Sequence, residues 1–147
     1  MTPRLQNSDF RCNHCGNFVS ALSLLCGVNN RNHCPNCLWS RHLDLAAAGD
    51  RLSACKAPMQ PLGLTMKPGH NKYARAGGEL MLIHTCLDCG RISMNRIAAD
   101  DDVDSLFAVF VSSFGLSSHS GQELLNNGIR LLGSQDLPMV RRQLLGK

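Results

Sequence analysis

Apolar positions keep different rhythms in different parts of the chain. The short run LMLIH, Leu80 to His84, is continuous and predicts a short strand. Beyond it Val103, Leu106, Phe107, Phe110, Val111 and Phe114 recur at the spacing of one helical face, and Asp102 stands where an N-cap belongs. Ser120 followed by Glu123 resembles a capping box that opens a second helix, with Leu124, Leu125, Leu131 and Leu132 as its stripe and Gly128 as its weak point. Asp136-Leu137-Pro138 predicts a third short helix before Arg141 and Arg142. Between the first zone and the strand, Gly63 to Glu79 is rich in glycine and basic residues and reads as a long exposed loop.

Composition explains why the first two-thirds has so little rhythm. Only 5% of the chain is aromatic, and its first two-thirds is rich in Cys, His, Asn, Arg and Gly. Such a stretch buries little apolar surface, and a metal commonly stands in for the missing core. Eight cysteines invite a disulfide reading. Met1 to Phe10 has no signal-peptide shape and no stretch approaches a membrane span, so the thiols are expected to stay reduced in the cytoplasm. Cys-x-x-Cys pairs then read as metal knuckles.

Cys12-x2-Cys15-x18-Cys34-x2-Cys37 has the spacing of a four-thiolate zinc site, in which two knuckles close all four positions of a tetrahedral ion. Gly16 fits a turn that needs positive φ, and Pro35 removes one N–H from the second turn. Cys86 and Cys89 form a third knuckle, whose expected partners are Cys55 and a histidine: His42, with His84 as the alternative. Two Zn²⁺ ions are therefore expected. Cys26 ends an apolar run and reads as a core thiol, and His33, His70 and His119 as ordinary surface or hydrogen-bonding residues.

The net charge of +4 is uneven. Arg11 to Arg96 holds ten Lys/Arg against four Asp/Glu, and Ile97 to Lys147 four against six. Thiolates at two zinc sites lower the first region to about +3 and the chain to about +1, so basicity alone is a weak pointer to nucleic acid. The polar clusters Arg31-Asn32-His33, Gly49-Asp50-Arg51 and Asn95-Arg96 with Asp100 to Asp102 fit turn capping and buried backbone groups; their arginines could instead meet phosphate.

Arg31-Asn32-His33-Cys34-Pro35 resembles the signature of the RNHCP domain family, a group of mainly bacterial proteins. The likeness continues through Cys37-Leu38, Ser40, His42-Leu43-Asp44, Gly49-Asp50-Arg51, Cys55, Met59 and Pro61. It resumes at His84, Cys86, Cys89-Gly90, Asn95-Arg96 and Asp100-Asp101, and so covers roughly Phe10 to Asp102. The resemblance implies a zinc-ribbon-like domain and no particular reaction.

The chain thus reads as a small α+β protein: a zinc-ribbon or zinc-knuckle domain over 10–102, including the loop 63–79, followed by a helical C-terminal extension over 103–147. The leading expectation is a non-enzymatic zinc module binding RNA or a ribonucleoprotein such as the ribosome, through Arg31, Arg51, Lys67, Lys72, Arg75 and Arg96. The scarcity of aromatic residues argues against a base-stacking platform. A second reading is a scaffold that docks a protein partner through residues 103–147. A third is a zinc hydrolase or nuclease using His33 or His42; a deaminase would need a His-x-Glu segment, which neither Glu79 nor Glu123 supplies.

Overall fold

A computed structural model describes residues 10–12, 14–19, 33–41, 57–67, 78–98, 100–116 and 118–146. Two small sheets and three α-helices are seen among them. Strands β1 (Phe10–Arg11) and β2 (Phe18–Val19) form an antiparallel pair. Strands β3 (Ser40–Arg41), β4 (Pro58–Lys67), β5 (Glu79–Cys86) and β6 (Ile92–Arg96) form a four-stranded antiparallel sheet in chain order. Helices α1 (Val103–Ser112), α2 (Ser118–Asn126) and α3 (Leu137–Leu145) follow. The architecture is α+β with a cluster of four cysteines, as the patterning predicts.

The run LMLIH is the heart of β5, and its continuity has a physical cause. Successive side chains of a strand point to opposite faces, and both faces here are covered. Leu80 and Leu82 pack with Leu38, Leu64, Leu106, Phe110, Leu132 and Val140, while Ile83 packs with Leu124 and Ile129. Helices α1 and α3 thus cover one face of the strand and α2 the other. Asp102 caps α1 as expected, accepting the Ser105 N–H at 2.9 Å. The hydroxyl and N–H of Ser105 hold its carboxyl below the usual carboxylate range.

Two expectations are corrected. Gly63 to Lys67 are not loop: they complete β4 and pair with Glu79 to Ile83, and Gly63, Leu64 and Thr65 are buried. Pro61 and Gly63 are poor strand formers, and between them the register shifts. Leu131 and Leu132 are not helical either. Helix α2 stops at Asn126, where Gly128 takes φ +77° and the N–H groups of Gly128 and Ile129 return to the carbonyls of Leu125 and Leu124. The chain after that turn runs along β4 instead: Leu132 N–H bonds the Leu64 carbonyl at 2.9 Å and Thr65 Oγ1 bonds the Arg130 carbonyl at 2.7 Å.

That close approach depends on Gly63. A Cβ there would stand 2.6 Å from Leu131 Cδ1 and 2.9 Å from the buried Ser113 Cβ. Gly63→Ala is expected to destabilise the zinc-loaded protein by about 1–3 kcal/mol, as overpacked cores do. Denaturant unfolding checks this, and an unchanged midpoint would show that the two segments can part freely.

Candidate metal centre

Among the described residues at the two-stranded end of the molecule, Cys12, Val19 and Cys34 are buried together with Phe10 and Cys37 against them. There four thiols converge. Cys12 Sγ lies 3.5 Å from Cys37 Sγ, Cys15 Sγ lies 3.6 Å from Cys34 Sγ, and all four sulfurs fall within 4.8 Å of one another. A tetrahedral ion with Zn–S bonds near 2.3 Å sets its sulfurs about 3.8 Å apart, so the four cysteines fit Zn²⁺ and need little movement to hold it. None of the six described cysteines is in a disulfide.

Each pair sits on the same turn. In the first, Cys12 N–H bonds Asn17 O at 2.8 Å and Gly16 N–H bonds Cys12 O at 3.0 Å. In the second, Cys34 N–H bonds Trp39 O at 3.0 Å and Leu38 N–H bonds Cys34 O at 2.8 Å. Amides of the turns point at sulfur: His14 N–H to Cys12 Sγ at 3.3 Å and Asn36 N–H to Cys34 Sγ at 3.4 Å. Pro35 costs the site little, because Asn36 supplies the donor. The turn demands positive φ at its fifth residue, and Gly16 adopts φ +80° as the sequence suggests. Leu38 adopts φ +67° without glycine's freedom, and its fully buried side chain, packed in the main core, explains why a leucine is retained.

The thiols are electrostatically unequal. The Asn17 N–H draws exposed Cys15 down to about 7, whereas burial pushes Cys34 and Cys37 up. A cation held here would displace protons from the buried thiols, so its binding would depend on pH. With all four positions taken by sulfur, a Zn²⁺ held here would cross-link the chain and would have no coordination position left for a substrate.

The second knuckle is also held from behind. His33 Nε2–H donates to Asp101 Oδ2 at 2.7 Å, with both residues buried, and the same oxygen accepts the Ala98 N–H at 2.8 Å. Asp102 N–H bonds Pro35 O at 2.9 Å, Ser105 Oγ bonds Asn36 O at 2.9 Å, and His84 Nε2–H bonds Leu38 O at 2.6 Å. Asn95 Nδ2 donates to His84 Nδ1 at 2.8 Å.

These contacts locate most of the expected site residues. Cys12, Cys15, Cys34 and Cys37 come together. The third knuckle repeats the turn, with Cys86 N–H to Arg91 O at 2.8 Å, Gly90 N–H to Cys86 O at 3.0 Å and Gly90 at φ +78°. Its expected partners Cys55 and His42 lie outside the described residues, as do Cys26, Arg31, Arg51, Lys72 and Arg75. His84, the alternative ligand, has both ring nitrogens committed within the protein, because burial makes it a structural tie instead. His33 is likewise committed to Asp101 and only 2% exposed, which withdraws it from activating water. Arg96 Nε pairs with Glu79 at 2.8 Å on the surface, and Lys67 ends β4, exposed. Sequence reasoning did not single out His14, Trp39 or Arg41; the available signal was an aromatic or basic residue flanking each cysteine pair.

The family model of the RNHCP domain matches residues 7–107. The chain belongs to the RNHCP domain family. The match covers the three knuckles, the sheet and the start of α1, so the polar residues around the second knuckle of this RNHCP protein belong to its domain core. The RNHCP domain is not a known enzyme family. No curated protein and no solved structure matches the chain. Among the described residues no helix is long and apolar enough to cross a membrane.

Burial, and then the neighbouring His33, depress His84 from 6.5 to about 3. The folded state thus resists a proton that the unfolded chain accepts, so this contribution is complete above pH 6.5 and is lost as pH falls toward 3. Between these values one proton costs about 1.4 kcal/mol of stability per pH unit. The unfolding free energy of His84→Gln is expected to fall less steeply with acidification than that of the wild type; equal slopes would refute this assignment.

Proposed function

We propose that this RNHCP protein is a non-enzymatic zinc module of the cytoplasm that binds RNA, alone or within a ribonucleoprotein such as the ribosome. The observation that carries this reading is the closed set of four thiolates, which removes the metal from chemistry and leaves it the task of shaping a surface. Zinc knuckles and ribbons recur in RNA recognition. Exposed Arg11 on β1 and exposed Lys67 at the end of β4 supply positive charge among the described residues, and Lys72 and Arg75 follow Lys67 in the sequence.

A second Zn²⁺ at Cys86, Cys89, Cys55 and His42 belongs to the same proposal. Its support is the third knuckle's backbone, which matches the two turns that converge on the first cluster. Apolar side chains left exposed along the helices, Val111, Phe114, Leu125 and Leu145, favour a second reading in which this segment docks a protein partner.

Native mass spectrometry is expected to find two zinc ions in the wild type and one in His42→Ala or Cys55→Ser; a single ion throughout would remove the second site. RNA binding is expected to weaken with salt, and reversing Lys67, Lys72 and Arg75 together should weaken it further and flatten its salt dependence. Salt-dependent binding that ignores the triple reversal would sink the role of these three residues.

A further inference from the structure

The flanks of the three knuckles enclose a cavity of about 240 Å³ whose wall includes Phe10, His14, Trp39, Arg41, Pro58 and Leu87. Each knuckle contributes to it. His14, inside the first, stacks on Trp39, just past the second, with ring centroids 4.1 Å apart and planes 7° from parallel. The Arg41 guanidinium lies 4.9 Å from the centroid of the Phe10 ring. Leu87 of the third knuckle is 56% exposed, and its N–H is fastened to the Pro58 carbonyl at 3.0 Å. Arg41 Nε is buried and has no hydrogen-bond partner among the described residues.

We propose that this cavity receives one unpaired nucleobase of single-stranded RNA, a reading that rests on the RNA-binding function above and names its subsite. Flat groups line the space, which suits an aromatic ring. The volume falls below the roughly 300–1,000 Å³ of sites for drug-sized ligands, which limits the occupant to one small ring system. Arg41, one of the wall residues, carries guanidinium N–H donors, and every nucleobase carries carbonyl oxygens or ring nitrogens on its edge that accept such bonds. An apolar peptide side chain would cover the wall but bring no acceptor to the Arg41 guanidinium. Arg11, adjacent to Phe10 and exposed, places positive charge for the flanking phosphate.

Trp39 is the single tryptophan, so a stacked base reports itself by quenching fluorescence. The experiment titrates the zinc-loaded full chain with short homopolymeric U, C and A oligoribonucleotides, and separately with an apolar peptide. Native mass spectrometry verifies that each variant keeps the zinc content of the wild type. The oligonucleotides are expected to quench Trp39, and His14→Ala and Arg41→Gln each to weaken binding by about 5- to 100-fold. Leu87→Asp, at an exposed wall residue, tests the pocket should the other variants fail to fold, and is expected to weaken binding in the same sense. Salt-dependent RNA binding with flat Trp39 fluorescence and wild-type affinity in the variants would overturn the subsite while leaving RNA binding intact. Absence of all RNA binding would overturn both, and quenching by the peptide alone would assign the cavity to a protein partner.

Discussion

The turn from Cys34 to Leu38 joins the metal end of this protein to its apolar core. Its carbonyls are taken by Asp102 N–H, Ser105 Oγ and His84 Nε2, and the residue before it is tied to Asp101. Its first residue is a thiol of the four-sulfur cluster, and its last inserts a fully buried side chain between sheet and helices. A knuckle needs positive φ at that last position, and a leucine holds it despite the strain because burial of such a side chain is worth about 1.5–3 kcal/mol against roughly 1–2 kcal/mol for the left-handed backbone. Metal geometry and core packing are thereby set by one short segment, and neither end can shift without disturbing the other.

The two ends obtain their order by different means. Around β5, leucines, Phe110 and Val140 bury enough apolar surface to pack two helices onto one face of the sheet, and Ile83 with Leu124 packs the third onto the other. Around β1 and β2 the deeply buried side chains among the described residues are Val19 and two cysteines, too little by themselves to fix two-residue strands. Chelation of an ion by the four thiolates would supply a further constraint. A metal ion enclosed by the four sulfurs would organise the surface around it. That surface gathers more aromatic character than the composition suggests: the single tryptophan, a histidine and a phenylalanine meet around one cavity.

Local signals were read well where the chemistry is local. The spacing of Cys12, Cys15, Cys34 and Cys37 announced their convergence, since a knuckle is a four-residue device and two of them complete a tetrahedron. Asp102 and the stripe through Leu106 and Phe110 announced α1, since capping and the helical period act within a few residues. The same local view misled where partners are distant in sequence. Gly63 to Lys67 looked like loop because pairing with Glu79 to Ile83 is invisible in their composition. Leu131 and Leu132 looked helical because the return to β4 is made by a glycine turn and by bonds to Leu64 and Thr65.

By itself, then, the sequence determined the metal-binding turns, the buried strand and the capped helix, all of which follow from side chains within one turn or one strand of each other. Only the tertiary structure decided what the polar motif residues do. On sequence grounds His84 could have been a ligand, His33 a nuclease histidine or an ordinary hydrogen-bonding residue, and Asn95 and Asp101 capping groups. Packed into the space between knuckle, sheet and α1, where water is excluded, their polar atoms had to find partners in one another and in the backbone. The same packing brought Phe10, His14, Trp39 and Arg41 to one place, because the two knuckles that carry or adjoin them are drawn together by the cysteine cluster.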